Sequence, residues 1–301
     1  MSSTRPGPVI LIVEPSGGSS RRHNPELAMI YADDLGVTRG DGIFETLLVR
    51  DGSARNLERH LDRFVASARM LSLPEPNAAQ WARATAEAVA DWEEAGGNEA
   101  ACVWTYTRGR ESTGRPTGWI TIKPVSEKVL RQREEGVSVL TTPRGYSITP
   151  TLPERGAVGG GETPPWLVTG AKTLNYAANM AALRYAAAKG FDDVIFTDDG
   201  RVLEGATSTV VTVTGKTLRT PPPGRDLLPG TTQAALFSYA GAHGWTCLEE
   251  PVDVTDLLSA DSVWLCSSVR LAVRVVRIND RQLPETAAVA GARELLTAAL
   301  S

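Results

Sequence analysis

The chain has 301 residues, 42% of them hydrophobic and 22% charged, which is ordinary globular composition and length enough for two cores. A formal net charge of −4 with no basic run argues against a nucleic-acid surface, and no apolar run reaches the roughly 20 residues of a membrane span. Residues 1–8 lack a charged stretch followed by an apolar one, so no signal peptide is expected. Cys102, Cys247 and Cys266 are too scattered for a metal site or a disulfide framework. The expected setting is a reducing cytoplasm, with each cysteine a small buried hydrophobe.

In chain order, the apolar run 9–13 ends before Pro15 and reads as a strand. Residues 16–22, Gly/Ser-rich with Arg21 and Arg22, read as a loop. Gly40 and Gly42 mark a tight turn, 43–49 a strand, and Asp51-Gly52 a hairpin turn. The best-patterned helix follows. Asn56 stands at its capping position, Leu57, Leu61, Phe64, Ala68 and Leu71 recur at helical spacing, and Pro74 closes it. Arg63 falls at the flank of that stripe, either as a solvated surface residue or reaching into a cleft between layers. A second helix over 78–95 carries Trp81 and Trp92 and stops at Gly96-Gly97. The strand 101–107 carries Trp104 and Tyr106 and runs into Thr107-Arg108-Gly109-Arg110, with Gly114-Arg115-Pro116 shortly after. Strands are expected at 119–124 and 137–142.

The stretch 155–166 then breaks the pattern with four glycines and two prolines. It is the best candidate for an interdomain connection. A smaller N-terminal domain is therefore expected over 1–145, a connecting loop over 146–166, and a larger C-terminal domain over 167–301. An Ala-rich helix over 175–189 stops at Gly190, and strands follow at 194–197, 202–204 and 209–214. Gly230 leads into a helix over 231–242, and 252–258 is a short helical or turn segment. Strands at 262–266 and 273–278 and a helix over 287–300 complete the chain. Short strands mixed with helices give an α+β chain in two layers, with no internal repeat and no GxGxxG after a strand.

Three places could carry chemistry. Lys172 lies between Gly170-Ala171 and an apolar helix. It reads as a helix-edge surface lysine or as an amine desolvated enough to condense with an aldehyde. Glu204 is flanked by Val202, Leu203, Gly205 and Ala206. It reads as a strand-end acid facing water or as a buried acid needing a partner, such as a protonated pyridine nitrogen. Gly230-Thr231-Thr232 opens a helix with free N–H groups and hydroxyls, which suits a phosphate and also suits any ordinary helix start. Ser268 at a strand end and the fork of Arg63 could add donors.

Five segments taken together resemble one known family. They are Gly40-Asp41-Gly42-Ile43-Phe44-Glu45-Thr46, His60-Leu61-Asp62-Arg63, Lys172-Thr173-Leu174-Asn175, Glu204-Gly205-Ala206-Thr207-Ser208 and Pro229-Gly230-Thr231-Thr232. Their order, and the Lys-to-Glu spacing, are similar to the class IV (fold type IV) pyridoxal-phosphate enzymes: branched-chain aminotransferases, D-amino-acid aminotransferases and aminodeoxychorismate lyases. The resemblance implies a two-domain α+β fold, pyridoxal 5′-phosphate as cofactor, no metal, and a homodimer. It implies that Lys172 binds the cofactor and moves the proton, and that Glu204 faces the pyridine nitrogen. Arg63, Gly230, Thr231, Thr232, Ser268 and the backbone N–H of Val269 would hold the phosphate. Tyr176 falls near the place of a ring-hydroxyl tyrosine, one residue closer to the lysine than in the branched-chain enzymes. Lys-Thr-Leu-Asn and the Arg108 and Arg115 segments are more like the lyase and D-amino-acid branch. Tyr106, Arg108 and Arg115 are the expected contacts for a small amino substrate with carboxylates. The implied reaction is 4-amino-4-deoxychorismate lysis, with class IV transamination as the alternative.

Overall fold

The computed structural model describes residues 6–15, 18–146, 166–224 and 227–300. The chain opens with an antiparallel pair, β1 (Val9–Val13) and β2 (Ser20–His23). The loop expected over 16–22 is therefore shorter, because Ser20 to His23 finds a partner edge in β1. Next come α1 (Leu35–Arg39), β3 (Gly42–Arg50), β4 (Ser53–Ala54), α2 (Leu57–Met70) and α3 (Ala78–Glu94). The first half ends with β5 (Ala100–Thr107) and β6 (Thr117–Pro124). These strands form one antiparallel sheet in the order β2-β1-β6-β5-β3-β4.

The helix α2 packs its apolar stripe on this sheet, as its spacing predicts. Phe64 sits at the centre, its ring 4.8 Å from Trp81 of α3 and 5.4 Å from Trp104 of β5. All three rings are buried. Asn56 occupies the N-cap position of α2 in left-handed backbone (φ 55°), and its side chain makes no capping bond, contrary to expectation. In α1, the Asp34 side chain accepts from the Gly36 N–H at 2.8 Å and caps a helix of five residues, too short for any period to show.

The second half begins with α4 (Glu127–Glu135) and β7 (Val137–Pro143). Nothing in the sequence pattern announces α4: Val129 and Leu130 are its only apolar residues, so it has no stripe. Its start is fixed by Ser126, whose side chain accepts from the Val129 N–H. Then follow α5 (Ala177–Ala188), β8 (Asp193–Asp198), β9 (Arg201–Gly205), β10 (Thr209–Thr214) and β11 (Thr217–Thr220). After them come α6 (Thr231–Ala242), β12 (Thr246–Glu249), α7 (Val254–Ser259), β13 (Ser262–Ser267), β14 (Leu271–Ile278), β15 (Arg281–Gln282) and α8 (Ala287–Leu300). The second sheet is mixed, in the order β12-β11-β10-β13-β14-β7-β8-β9, with β15 on β14.

Because β7 runs parallel to both β14 and β8, it belongs to the second sheet. The change of sheet therefore falls between β6 and β7, earlier than the division expected at residue 145. The loop expected at 146–166 lies almost wholly outside the described residues. Among the described residues no helix is long and apolar enough to cross a membrane, and no group of three or more His, Cys, Asp or Glu could hold a metal ion.

Phe64→Ala is expected to cost about 3–5 kcal/mol, because the two indole rings packed on it cannot collapse into its space. A urea unfolding curve checks this. A loss below about 1 kcal/mol would place the centre of the first core elsewhere.

Candidate active site

The strand β3 divides the first core from a cavity, and its alternation decides which residue faces which. Ile43, Leu47 and Val49 point into the core under α2 and α3, while Phe44 and Thr46 line the cavity. Glu45 shares the parity of the core residues and is fully buried. A bare carboxylate there would be very costly, and α2 supplies its partners. Arg63 donates from Nε to Glu45 Oε1 and from Nη2 to Oε2, both at 2.7 Å, and His60 Nδ1 lies 2.7 Å from Oε2. Burial alone would raise the Glu45 carboxyl. The Arg63 charge and the bonds from Arg63 and His60 outweigh it and hold the group at about 2. Burial pushes His60 below its ordinary value, against the pull of Glu45. A neutral ring here places its proton on Nδ1, facing the carboxylate.

One turn further along α2, Ser67 fixes the lysine. The backbone N–H of Lys172 donates to Ser67 Oγ at 3.1 Å. The Lys172 carbonyl accepts from the Phe44 N–H at 3.0 Å, and the Leu174 N–H donates to the Gly42 carbonyl at 2.8 Å. Lys172 to Leu174 thus runs as an extra short strand along the start of β3, with Ile43 and Thr173 paired antiparallel. Gly42 makes this approach possible, since a Cβ there would sit 2.7 Å from the Tyr106 carbonyl and 2.8 Å from Leu174 Cδ1. Lys172 Nζ lies 4.2 Å from the centroid of the Phe44 ring and 3.4 Å from Tyr176 Oη. Lys172 borders the cavity. Burial first, then the Arg63 charge, lowers the ammonium to about 8, although Glu45 and Glu204 pull it back up. Tyr176 is pushed up to about 12, mainly by burial, and keeps its proton.

Glu204, in β9, lines the same cavity. Burial raises its carboxyl to about 7, against the opposing charges of Lys172 and Arg144 and the Leu228 N–H. Such an acid is readily restored to its ionised form by a buried cationic N–H group. The rim beyond it is built from the N-terminus of α6 and the turn between β13 and β14. Gly230 is the N-cap, and a Cβ there would lie 2.4 Å from Thr209 Oγ1. The first N–H groups of α6 and the hydroxyls of Thr231, Thr232 and Ser268 come together in one corner, a donor set of the kind that suits an anion. Arg63 Nη1 donates to the Pro229 carbonyl at 2.6 Å and ties this corner to α2. Arg133 Nε donates to the Val269 carbonyl at 3.1 Å.

Lys172, Tyr176, Glu204, Arg63, Gly230, Thr231, Thr232, Ser268 and Val269 all border one cavity of about 1050 Å³. Tyr106, Arg108 and Arg115 do not. The alternation of β5 turns Tyr106 into the first core, where its hydroxyl donates to the Pro74 carbonyl at 3.0 Å. Arg108 spends its fork on Asp41, at 2.6 and 3.1 Å, and on the Leu71 and Ser72 carbonyls. Arg115 is exposed in the turn before β6. Arg63 reaches the cavity and is not a solvated surface residue, its side chain being 11% exposed. Phe44, Glu45, His60 and Ser67 join the site without a role assigned from the sequence. Its one available signal was the polar series His60, Arg63 and Ser67, spaced along one side of α2's apolar stripe.

The family model described as amino-transferase class IV matches residues 42–278. A curated Mycobacterium tuberculosis protein, the bifunctional aminodeoxychorismate lyase / D-amino acid transaminase, is 44% identical over 284 residues, covering 92% of this chain and 95% of its own. Two solved structures described as a hypothetical aminotransferase from M. tuberculosis superpose with TM-scores of 0.88, covering 97% of this chain and 98% of theirs. One is the PLP-bound form at 42% identity. The other is the alpha-ketoglutarate and PMP bound form at 43% identity.

Glu45→Gln leaves Arg63 in the core without its counter-charge and is expected to cost about 3–5 kcal/mol near neutral pH. The folded carboxyl sits at about 2 against an ordinary 4.5. Its contribution is therefore complete above the ordinary value and disappears as pH falls through about 2. Unfolding curves of the two proteins should converge in acid. A gap unchanged at the acid end would assign the loss to shape and not to charge.

Proposed function

The chain belongs to the class IV aminotransferase family, and from that membership and its cavity we propose a pyridoxal phosphate enzyme that acts as a 4-amino-4-deoxychorismate lyase. The observation that carries the cofactor reading is the pairing of two displaced titrations in one cavity. An amine brought down to about 8 and a carboxyl brought up to about 7 both border it, next to a helix start. Strongly displaced buried titrations in one cavity single out candidate proton-transfer groups.

The residues fit the group. Lys172 supplies an amine that is partly neutral near physiological pH. Glu204, raised by burial, is suited to accept from a protonated ring nitrogen. Gly230, where a side chain would strike Thr209, leaves room for close approach to backbone N–H groups. Pyridoxal phosphate, when bound, supplies an aldehyde for primary amines and a ring that accepts the electron pair released at the amine-bearing carbon.

The protein's share of the work is positioning and proton movement. Lys172 is the base that takes the proton from the amine-bearing carbon. The face of the Phe44 ring and the Tyr176 hydroxyl hold its amine in place. Glu204 would hold the negative charge that a protonated ring nitrogen of the bound group calls for. In the lyase reaction the C4–H bond gives its proton to Lys172, and the C3–O bond breaks. The leaving group departs with the C–O electron pair as the enolate of pyruvate and takes the proton from Lys172 at carbon, while the ring that remains becomes 4-aminobenzoate. The cavity is large enough for a cofactor and a substrate together. A homodimer forms part of this reading, since Leu27, Tyr31 and Val37 present exposed apolar side chains along one stretch of chain.

Transamination of a D-amino acid is the second reading. It is favoured by the M. tuberculosis relative, whose name carries both activities, and by the structure of an M. tuberculosis aminotransferase holding alpha-ketoglutarate and PMP. Both reactions begin with proton removal by the same lysine, so one site suffices for both.

Purified protein loaded with pyridoxal phosphate is expected to release pyruvate from aminodeoxychorismate with no added keto acid. It should also show an absorbance band near the visible edge that borohydride or Lys172→Ala abolishes. No pyruvate from aminodeoxychorismate, with pyruvate formed from D-alanine only when alpha-ketoglutarate is added, would exclude the lyase reading and leave the transaminase. Absence of the band would end both.

A further inference from the structure

His60 stands between the Glu45 carboxylate and the corner read above as a phosphate site, and the inference rests on that reading. The ring is 1% exposed. Its Nδ1 faces Glu45 Oε2 at 2.7 Å, and its Nε2 lies 3.2 Å from Thr231 Oγ1 and 3.3 Å from Ser268 Oγ. With Nδ1 donating to a carboxylate, a neutral ring offers a lone pair at Nε2. One of the two hydroxyls then gives its single proton to that lone pair and turns only oxygen lone pairs toward the cavity.

A phosphate group has only acceptors on its outer oxygens. For Thr231 and Ser268 to bind it, both hydroxyl protons must point at the phosphate. Nε2 is then left facing two oxygen lone pairs in a buried site, an arrangement that costs about as much as any buried unsatisfied acceptor. A proton on Nε2 removes the conflict: the ring then donates to the hydroxyl oxygens as they donate to the phosphate.

We propose that His60 takes up a proton from solvent when the phosphate group binds, so that an imidazolium anchored on Glu45 backs the Thr231 and Ser268 hydroxyls. It is a positioning residue, acting through those hydroxyls. The charges around it set the balance. From β3 comes Glu45, which favours the cation; from its own helix Arg63, and from the segment before α5 Lys172, both oppose it. Arg55 borders the 180 Å³ cavity behind the ring. The groups that α6, the β13–β14 turn and α8 bring to the ring are hydroxyls and apolar side chains. Burial first, with the Arg63 and Lys172 cations, keeps the ring neutral until an anion of nearly two charges arrives.

The chain has three histidines, so ring nitrogens can be read individually. The experiment is nitrogen-15 NMR of histidine-labelled protein near neutral pH, with His23→Gln and His243→Gln fixing the assignment. Both replaced residues lie outside the cavity. His60 should carry a proton on both ring nitrogens in the protein loaded with pyridoxal 5′-phosphate. It should carry one on Nδ1 alone in the protein stripped of it or loaded with pyridoxal, which lacks the phosphate. In the loaded double variant Thr231→Val/Ser268→Ala it should return to the neutral form. A cofactor band present with His60 still neutral would overturn the proposal and leave the functional reading intact. A cation that survives the double variant would overturn the part played by the hydroxyls. If pyridoxal phosphate gives no band at all, the functional reading fails and this proposal fails with it.

Discussion

The buried carboxylate of Glu45 is the constraint around which the site is arranged. A strand residue of core parity would ordinarily be apolar, as Ile43, Leu47 and Val49 are. An ionised acid there is tolerable only if the covering helix brings matched donors to it. Arg63 and His60 do so, and in doing so both side chains are drawn off the solvent face of α2. The atoms they have left over are then aimed at the start of α6 and the β13–β14 turn. One acid thus fixes two side chains that link the first sheet to the corner of the second.

That linkage explains why the site sits between the halves and not within either. Arg63 and His60 come from the first half, Glu204 and the α6 corner from the second. Lys172 belongs to the second half in sequence but is hydrogen-bonded along β3 of the first. The electrostatics follow from the packing. Closing the two halves over one cavity removes water from an amine and an acid together, and that is the first cause of both displaced titrations.

Much of this was legible in the residues, for identifiable reasons. The helix α2 was readable because Leu57, Leu61, Phe64 and Ala68 repeat at its period, and β10 because its residues are β-branched. The helix α4 was not, since a helix of Glu, Lys, Arg and Gln has no apolar stripe to reveal it. Strand β2 was hidden by polar residues that take their structure from a neighbouring edge. The cavity residues were found through motifs. Tyr106 and Arg108 lie outside this cavity because alternation in β5 and a local ion pair with Asp41 decide their direction, and no motif records either. Glu45 and His60 were inside recognised segments, yet their work depends on a contact between β3 and α2 that linear text does not display.

The docking of Lys172 on β3 has a mechanical consequence. The amine travels with the first sheet, whereas the acid in β9 and the anion corner travel with the second. Any slippage of one layer over the other therefore pulls the reactive groups out of alignment while each layer keeps its own hydrogen-bonded ladder and its own core. Heating should consequently disable the site through loss of registration between layers at temperatures where circular dichroism still records intact strands and helices.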